Sequence, residues 1–280
     1  MSGIDNEAAG RHKPDVQLSR RSLVAAGALV AVLGSAATKR KANAFPTEAD
    51  LINNWCNTQG DNPEGYCQCF LIGTRLLTSA GEAAIEDLQI GDLVTTEGGE
   101  ARAIRWIGRI TVDRNGDAPW RTDAMPVRVS KDAFGKGSPH RDLYLSRAHM
   151  VYLNGVLIPV GDLINGKTVA LVDVPGDQLV YYHVELETHD VLIAEGAPCE
   201  SFLTTDRKLL AFDNADEYYA LYGTVTDMVA CAPLAAFVGG RSELKSRLRS
   251  AVAVIVDVRE PRDVARDHLE LRAIEMSKAA

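Results

Sequence analysis

The sequence predicts a mainly β fold: a compact all-β domain with hairpins over residues 69–203, followed by a small α-helical C-terminal extension over residues 204–280. In the first segment, short apolar runs alternate with turn signals such as Gly91-Asp92 and Pro175-Gly176-Asp177 at intervals of roughly ten residues. Patterns with a helical period appear only after Leu203.

The clearest single element is a hairpin. Met150–Leu153 and Val156–Ile158 flank the dipeptide Asn154-Gly155, which is typical of a type I′ turn. Within the β segment, only Ala84–Leu88 has the pattern of a helical turn.

Three helices are expected in the extension. Asp213-Asn214 is a candidate cap for a helix through Leu221, and Ser242 for a helix over Glu243–Val252. Pro261 is expected to begin a last helix that runs through Met276. Residues 204–280 carry eleven basic and twelve acidic residues, and this near balance predicts a solvated appendage.

Composition limits the function classes. The 280 residues include 46% apolar residues and carry a formal net charge of −8, which disfavours nucleic acid as a partner. No run of about eighteen strongly apolar residues occurs, which excludes a multi-spanning membrane protein.

Residues 1–44 have the pattern of a twin-arginine signal peptide. Ser19–Leu23 contains the paired arginines, an apolar run follows, and Ala42-Asn43-Ala44 predicts cleavage by signal peptidase between Ala44 and Phe45. A basic amphipathic tail or an anchoring helix is the alternative. We expect export by the twin-arginine translocase to the periplasm or outside the cell, with residues 45–68 as a polar linker or upstream peptide.

The chain has five cysteines: Cys56, Cys67, Cys69, Cys199 and Cys231. Because the number is odd, at least one thiol stays outside any pairing within the chain, and a nucleophilic role for Cys69 would account for one. A bridge between Cys56 and Cys67 would close a small loop ahead of Cys69, and the sequence leaves their state open.

Five sequence motifs occur in a fixed order and spacing. Each motif is weak evidence alone, and their combination is strong evidence for a family relationship. They are Cys69–Thr74, Ile85–Val94, Arg105–Gly108, Leu145–His149 and Tyr182–Ile193. Together they resemble the Hint superfamily, the fold of Hedgehog autoprocessing domains and inteins, and in particular the bacterial Hint-like proteins. The resemblance covers residues 69–203, about half of the chain.

The resemblance implies a chemistry for this segment. Cys69 would attack the carbonyl of Gln68 and convert the Gln68–Cys69 amide to a thioester, while His149 contacts the amide nitrogen. Ser146 stands where the family has threonine in a Thr-x-x-His motif and would hydrogen-bond the same amide. The alternative is a buried structural cysteine that begins the first strand and a core histidine.

The resemblance also points to His189 and His183, for acid–base steps after the first. An unbroken strand would place both on one face, since their spacing is even. His183 takes a position where inteins often have aspartate, so a step that depends on a carboxylate is in doubt. No third ligand accompanies the two histidines, and we expect neither a metal nor a cofactor.

The end of the β segment limits the outcome. Inteins end in His-Asn, which is absent from Gly196–Leu203, so splicing is not expected. Cys199 and Ser201 have no adjacent leaving group and are interpreted as packing residues. Gly108 stands where Hedgehog domains have the aspartate that serves sterol transfer, so sterol transfer is not expected either.

The resulting hypothesis is a single-turnover reaction. The substrate is the chain's own upstream peptide, and water or another small nucleophile resolves the thioester at Gln68–Cys69. The alternative is a catalytically inert Hint-fold module that is secreted or serves in binding. A cysteine protease acting on other chains is the third hypothesis, and no carboxylate or amide partner for His149 is evident in the sequence to support it.

Overall fold

The computed structural model describes residues 68–116, 118–236, 240–253 and 255–279. The predicted signal peptide and the linker up to residue 67, with Cys56 and Cys67, lie outside these residues. Fourteen strands and two single 3-10 turns come first in the described chain, and four α-helices follow. The mainly β fold with a helical C-terminal extension is therefore confirmed.

The strands form two antiparallel sheets. The six-stranded sheet has the order β11-β7-β8-β1-β12-β6. Its strands are β1 (Phe70–Leu71), β6 (Trp106–Asp113), β7 (Val127–Val129), β8 (Leu143–Leu145), β11 (Val169–Leu171) and β12 (Gln178–Glu185). The two-residue strand β1 lies in the middle of this sheet, between β8 and β12, which places Cys69 in the interior.

The second sheet has eight strands in the order β10-β9-β14-β13-β2-β4-β5, with β3 paired to β2. They are β2 (Arg75–Thr78), β3 (Gly81–Ala84), β4 (Leu93–Thr95), β5 (Ala101–Ala103), β9 (Met150–Leu153), β10 (Val156–Pro159), β13 (Val191–Ala194) and β14 (Ala197–Glu200). One 3-10 turn covers Ile85–Asp87, as predicted, and another covers Val160–Leu163.

The predicted hairpin is confirmed as β9 and β10. Asn154 and Gly155 have φ of 53° and 82°, as a type I′ turn requires at both central positions. A second hairpin, β13 and β14, turns at Glu195-Gly196 with φ of 51° and 80°. Glutamate is unusual in this left-handed region. Its carboxylate compensates by accepting the Arg75 backbone N–H at 2.7 Å.

The helices are α1 (Asp206–Leu209), α2 (Ala215–Tyr222), α3 (Gly240–Val252) and α4 (Pro261–Ala279). Helix α4 begins at Pro261 as expected and extends three residues past Met276, whereas α3 begins two residues before the proposed Ser242 cap. None of the helices in the described residues is long and apolar enough to cross a membrane.

The helices are not the solvated appendage that their charge balance predicts. Residues of α1, α2 and the segment between them complete an apolar cluster around Cys69, here called the Cys69 cluster. Its buried members are Cys69, Trp106, Ile110, Val112, Trp120, Ala124, Leu179, Tyr181, Phe202, Leu209, Phe212, Ala215 and Tyr218. Ala265 and Leu269 of α4 pack in the other apolar cluster, which fills the rest of the β domain. The prediction of a solvated appendage is wrong because the net charge of a segment does not show whether one face of its helices is apolar.

Candidate functional site

Strand pairing brings Cys69 and Ser146 together. Phe70 pairs with Leu145 across β1 and β8, so the preceding and following residues, Cys69 and Ser146, are opposite each other. The Ser146 N–H donates to the Cys69 carbonyl at 2.8 Å, and the Cys69 N–H donates to Ser146 Oγ at 2.8 Å. A serine hydroxyl therefore replaces the backbone carbonyl that an antiparallel pair would normally offer this amide.

A tight turn brings His149 to the same place. The His149 N–H donates to the Ser146 carbonyl at 3.0 Å, which closes a β-turn over Ser146–His149. The spacing of the Ser-x-x-His motif is thus the length of one turn. This turn joins the end of β8 in one sheet to the start of β9 in the other.

His149 is fully buried, and burial lowers the pKa of its imidazole to about 4. The Glu200 carboxylate and the Gln68 backbone act in the opposite direction. A backbone group raises the pKa of an imidazole when it accepts a hydrogen bond from the ring N–H, so the Gln68 group concerned is its carbonyl. Neither His149 ring nitrogen has a partner of normal hydrogen-bond geometry among the described residues. The ring is thus near the carbonyl without a formed hydrogen bond.

His183 is the next residue across the sheet. Tyr182 of β12 pairs with Phe70, which puts His183 beside Cys69, on the side away from Ser146. The His183 and His149 ring centroids are 4.9 Å apart, and both rings contact Phe70. Burial, followed by the proximity of His149, lowers the pKa of His183 well below its usual value. Both imidazoles are therefore neutral near pH 7.

Gly108 lies opposite His183 in β6. A Cβ built at this position would be 2.4 Å from the Phe212 ring and 2.7 Å from the Trp106 ring. An aspartate cannot occupy this place while Phe212 fills it. The Phe212 ring, which comes from the helical extension, thus occupies the space that a side chain at position 108 would need.

His189 does not share a strand with His183. Strand β12 ends at Glu185, so the unbroken strand that would have placed both histidines on one face is not formed, although His189 is also buried. Its Nδ1 accepts the Cys231 backbone N–H at 3.0 Å. The ring hydrogen is therefore on Nε2, which is 3.5 Å from Glu200 Oε2.

Glu200 is a buried carboxylate that sequence reasoning did not single out. Its Oε1 accepts the Met150 N–H at 2.9 Å, directly after His149. Glu200 follows buried Cys199 in β14, and two successive buried residues break the alternation by which a half-buried strand is recognised. Cys199 and Ser201 are buried, in keeping with packing roles, and burial raises the pKa of the Cys199 thiol.

Lys208 was also missed. It is 1% exposed, and its Nζ donates to Gln68 Oε1 at 2.7 Å. Its positive charge contributes to the lowered pKa of both His149 and His183. No signal in the sequence links a lysine in a short helix to a residue 140 positions earlier.

One group of metal-ligating type occurs elsewhere in the described residues. Glu82, His140 and Glu195 bring one ligand atom each within 4.8 Å of one another. His140 Nε2 already lies 2.5 Å from Glu82, and Arg141 Nε lies 2.7 Å from Glu195. These contacts join β3, the segment between β7 and β8, and the turn between β13 and β14, and we assign no metal to them.

A comparison with protein families found a match to the β domain. Residues 68–206 match the family model described as "Hint domain". A comparison with curated proteins found no match. The match over residues 68–206 supports the Hint superfamily as the relationship of this segment.

Solved structures give distant likenesses. The gp41-1 intein shares 12% identity with a TM-score of 0.34, over 48% of this chain and 98% of its own. The bacterial intein-like domain from Clostridium thermocellum shares 14% identity with a TM-score of 0.34, over 49% of this chain and 100% of its own. The MchDnaB-1 intein shares 13% identity with a TM-score of 0.33, over 48% and 99%.

Proposed function

We propose that the segment matching the Hint domain cleaves its own backbone at Gln68–Cys69. The observation that carries the proposal is the hydrogen bond from the Cys69 N–H to Ser146 Oγ, with the neutral His149 ring beside the Gln68 carbonyl. Two groups, the Ser146 hydroxyl and the His149 ring, thus converge on the Gln68–Cys69 peptide bond. A structural cysteine at the start of a strand needs neither of them.

The proposed reaction begins with transfer of the acyl group. The Cys69 sulfur bonds to the Gln68 carbonyl carbon, and the bond from that carbon to the Cys69 nitrogen breaks. The thiol proton passes to the departing nitrogen, which becomes an amine, and neutral His149 is the group placed to carry it. Ser146 holds the amide hydrogen and fixes the orientation of the bond.

Water or a small thiol then resolves the thioester. Water adds to the Gln68 carbonyl carbon, the carbon–sulfur bond breaks, and the products are a carboxylate at Gln68 and the Cys69 thiol. Cys69 is fully buried, so the attacking molecule needs an opening of the Cys69 cluster. This requirement predicts slow cleavage in water and faster cleavage with a small, concentrated nucleophile.

The test is the mass of the purified full-length protein with and without dithiothreitol or hydroxylamine. We expect a fragment that begins at Cys69, formed in a reaction that Cys69→Ala abolishes and Cys199→Ala, a matched buried thiol, does not. Ser146→Ala should slow it by about tenfold or more, since it leaves a buried N–H without an acceptor, whereas Ser146→Thr should keep it. A chain that stays intact under all conditions would instead favour the inert module.

The proposed export raises the question of whether cleavage occurs before or after it. If residues 1–44 direct the chain to the twin-arginine translocase, the β domain folds before export. Cleavage at Gln68–Cys69 before export would then separate the signal from its passenger. We therefore propose that cleavage follows export, and a pulse–chase measurement on cell fractions tests the order of the two events.

A further inference from the structure

The contact between Lys208 and Gln68 joins the helical extension to the residue that donates the acyl group. Lys208 is in α1, beyond the end of the match to the Hint domain at residue 206. Its Nζ is 2.7 Å from Gln68 Oε1, and both side chains are 1% exposed. The contact therefore lies within the core.

An ammonium group rarely leaves water unless it makes specific contacts. Here Lys208 contacts the side chain of the residue whose carbonyl would be attacked. An ammonium only donates hydrogen bonds, so position 68 must present an acceptor. Glutamine and glutamate place an oxygen at this reach, asparagine is one methylene shorter, and alanine offers none.

We propose that Lys208 determines the specificity for residue 68 and positions it for cleavage. It selects a side chain with a terminal oxygen and thereby holds the Gln68 carbonyl between Cys69 and His149. This inference rests on the proposed function. It adds a residue from outside the β domain to the proposed site and defines the chemical class of the acyl donor. Burial is the main cause of the lowered pKa of the His149 and His183 imidazoles, and the positive charge of Lys208 adds to it.

A double-mutant cycle on the full-length protein tests the inference. Cleavage rates in dithiothreitol are measured for the wild type, Lys208→Met, Gln68→Ala and the double variant. We expect Lys208→Met to slow cleavage by about tenfold when residue 68 is glutamine and by less than about twofold when it is alanine. Gln68→Glu should cleave as well as the wild type.

Reversal of the pair separates recognition from folding. Gln68→Lys should cleave slowly, and Lys208→Glu in that background should restore the rate, which a purely structural lysine would not do. Lys245→Met, at an exposed lysine of α3, is the control and should leave the rate unchanged. Lys208→Gln keeps a donor and serves as the second variant if Lys208→Met does not fold.

The outcomes separate the two proposals. A wild-type chain that never cleaves overturns the proposed function, and this inference with it. A wild type that cleaves, with equal effects of Lys208→Met in both backgrounds or none in either, overturns only the role of Lys208. Rescue by the reversed pair supports both.

Discussion

At the scale of single residues, the candidate site has an electrostatic character that the sequence does not reveal. His149 and His183 are both neutral because the domain buries them, although Glu200 lies close enough to raise the pKa of His149. A neutral imidazole can accept the Cys69 proton, whereas an imidazolium cannot. Burial thus prepares the histidine for the first step of the proposed reaction.

The lowered pKa of His149 makes stability depend on pH. The unfolded chain binds a proton below about pH 6.5 and the folded chain only below about pH 4, so the folded state loses stability as pH falls between these values. For His149 alone, we expect the free energy of unfolding to fall by about 2 kcal/mol between pH 7 and pH 5. Urea unfolding of the non-cleaving Cys69→Ala protein measures it.

Glu185 changes the stability with pH in the opposite direction to His149, so the contribution of His149 has to be measured by comparing variants. Burial raises the pKa of its carboxyl to about 7, so this group favours the folded state as pH falls and opposes the effect of His149. His149→Phe in the Cys69→Ala background should reduce the loss of stability by about 2 kcal/mol. His268→Phe, at an exposed position, is the control. Identical pH curves with and without His149 would contradict the lowered pKa.

At the scale of elements, the segment between α1 and α2 is fitted closely to β6. Asp213 accepts the Thr111 N–H at 2.8 Å, and Asn214 accepts the Arg109 N–H at 2.9 Å. Next to these bonds, Phe212 lies over Gly108 and packs edge-on against Trp106. The absence of a side chain at position 108 is what admits the Phe212 ring.

A methyl group at position 108 should therefore disturb this fit. Gly108→Ala places a Cβ about 2.4–2.7 Å from two aromatic rings, and overpacking of this kind costs about 1–3 kcal/mol. In a Phe212→Leu background, the same change should cost less, since the ring is gone. Thermal unfolding measures both differences. Gly98→Ala, whose Cβ would be 3.8 Å from the nearest atom, is the control. Equal costs in both backgrounds would contradict the role of Phe212.

At the scale of the whole molecule, features set by neighbouring residues could be predicted from the sequence, whereas contacts between distant residues could not. The Asn154-Gly155 turn, the start of α4 and the mainly β texture follow from a few neighbouring residues each. The motif residues Cys69, Ser146 and His149 do converge in space. By contrast, Glu200 and Lys208 reach the site through tertiary packing, for which the sequence carries no local period.

The two parts of the helical extension pack in different apolar clusters, which its composition does not indicate. Leu209, Phe212 and Tyr218 belong to the Cys69 cluster, whereas Ala265 and Leu269 of α4 pack in the other apolar cluster. Burial of a large apolar side chain contributes about 2 kcal/mol, so the first three contribute about 6 kcal/mol. This sum is comparable to the entire stability of a typical domain.

Two truncations should therefore behave differently. A chain that ends after Thr205 loses Lys208 and uncovers Cys69, Trp106 and Phe202, so we expect it to bind a hydrophobic dye, unfold at low urea and lose cleavage at Gln68–Cys69. A chain that ends after Ala236 keeps α1 and α2, and should lose some stability but still cleave in dithiothreitol. Dye fluorescence, urea midpoints and fragment mass distinguish them. Equal cleavage by both chains would show that α1 and α2 are dispensable, because the β domain would then complete the site without them.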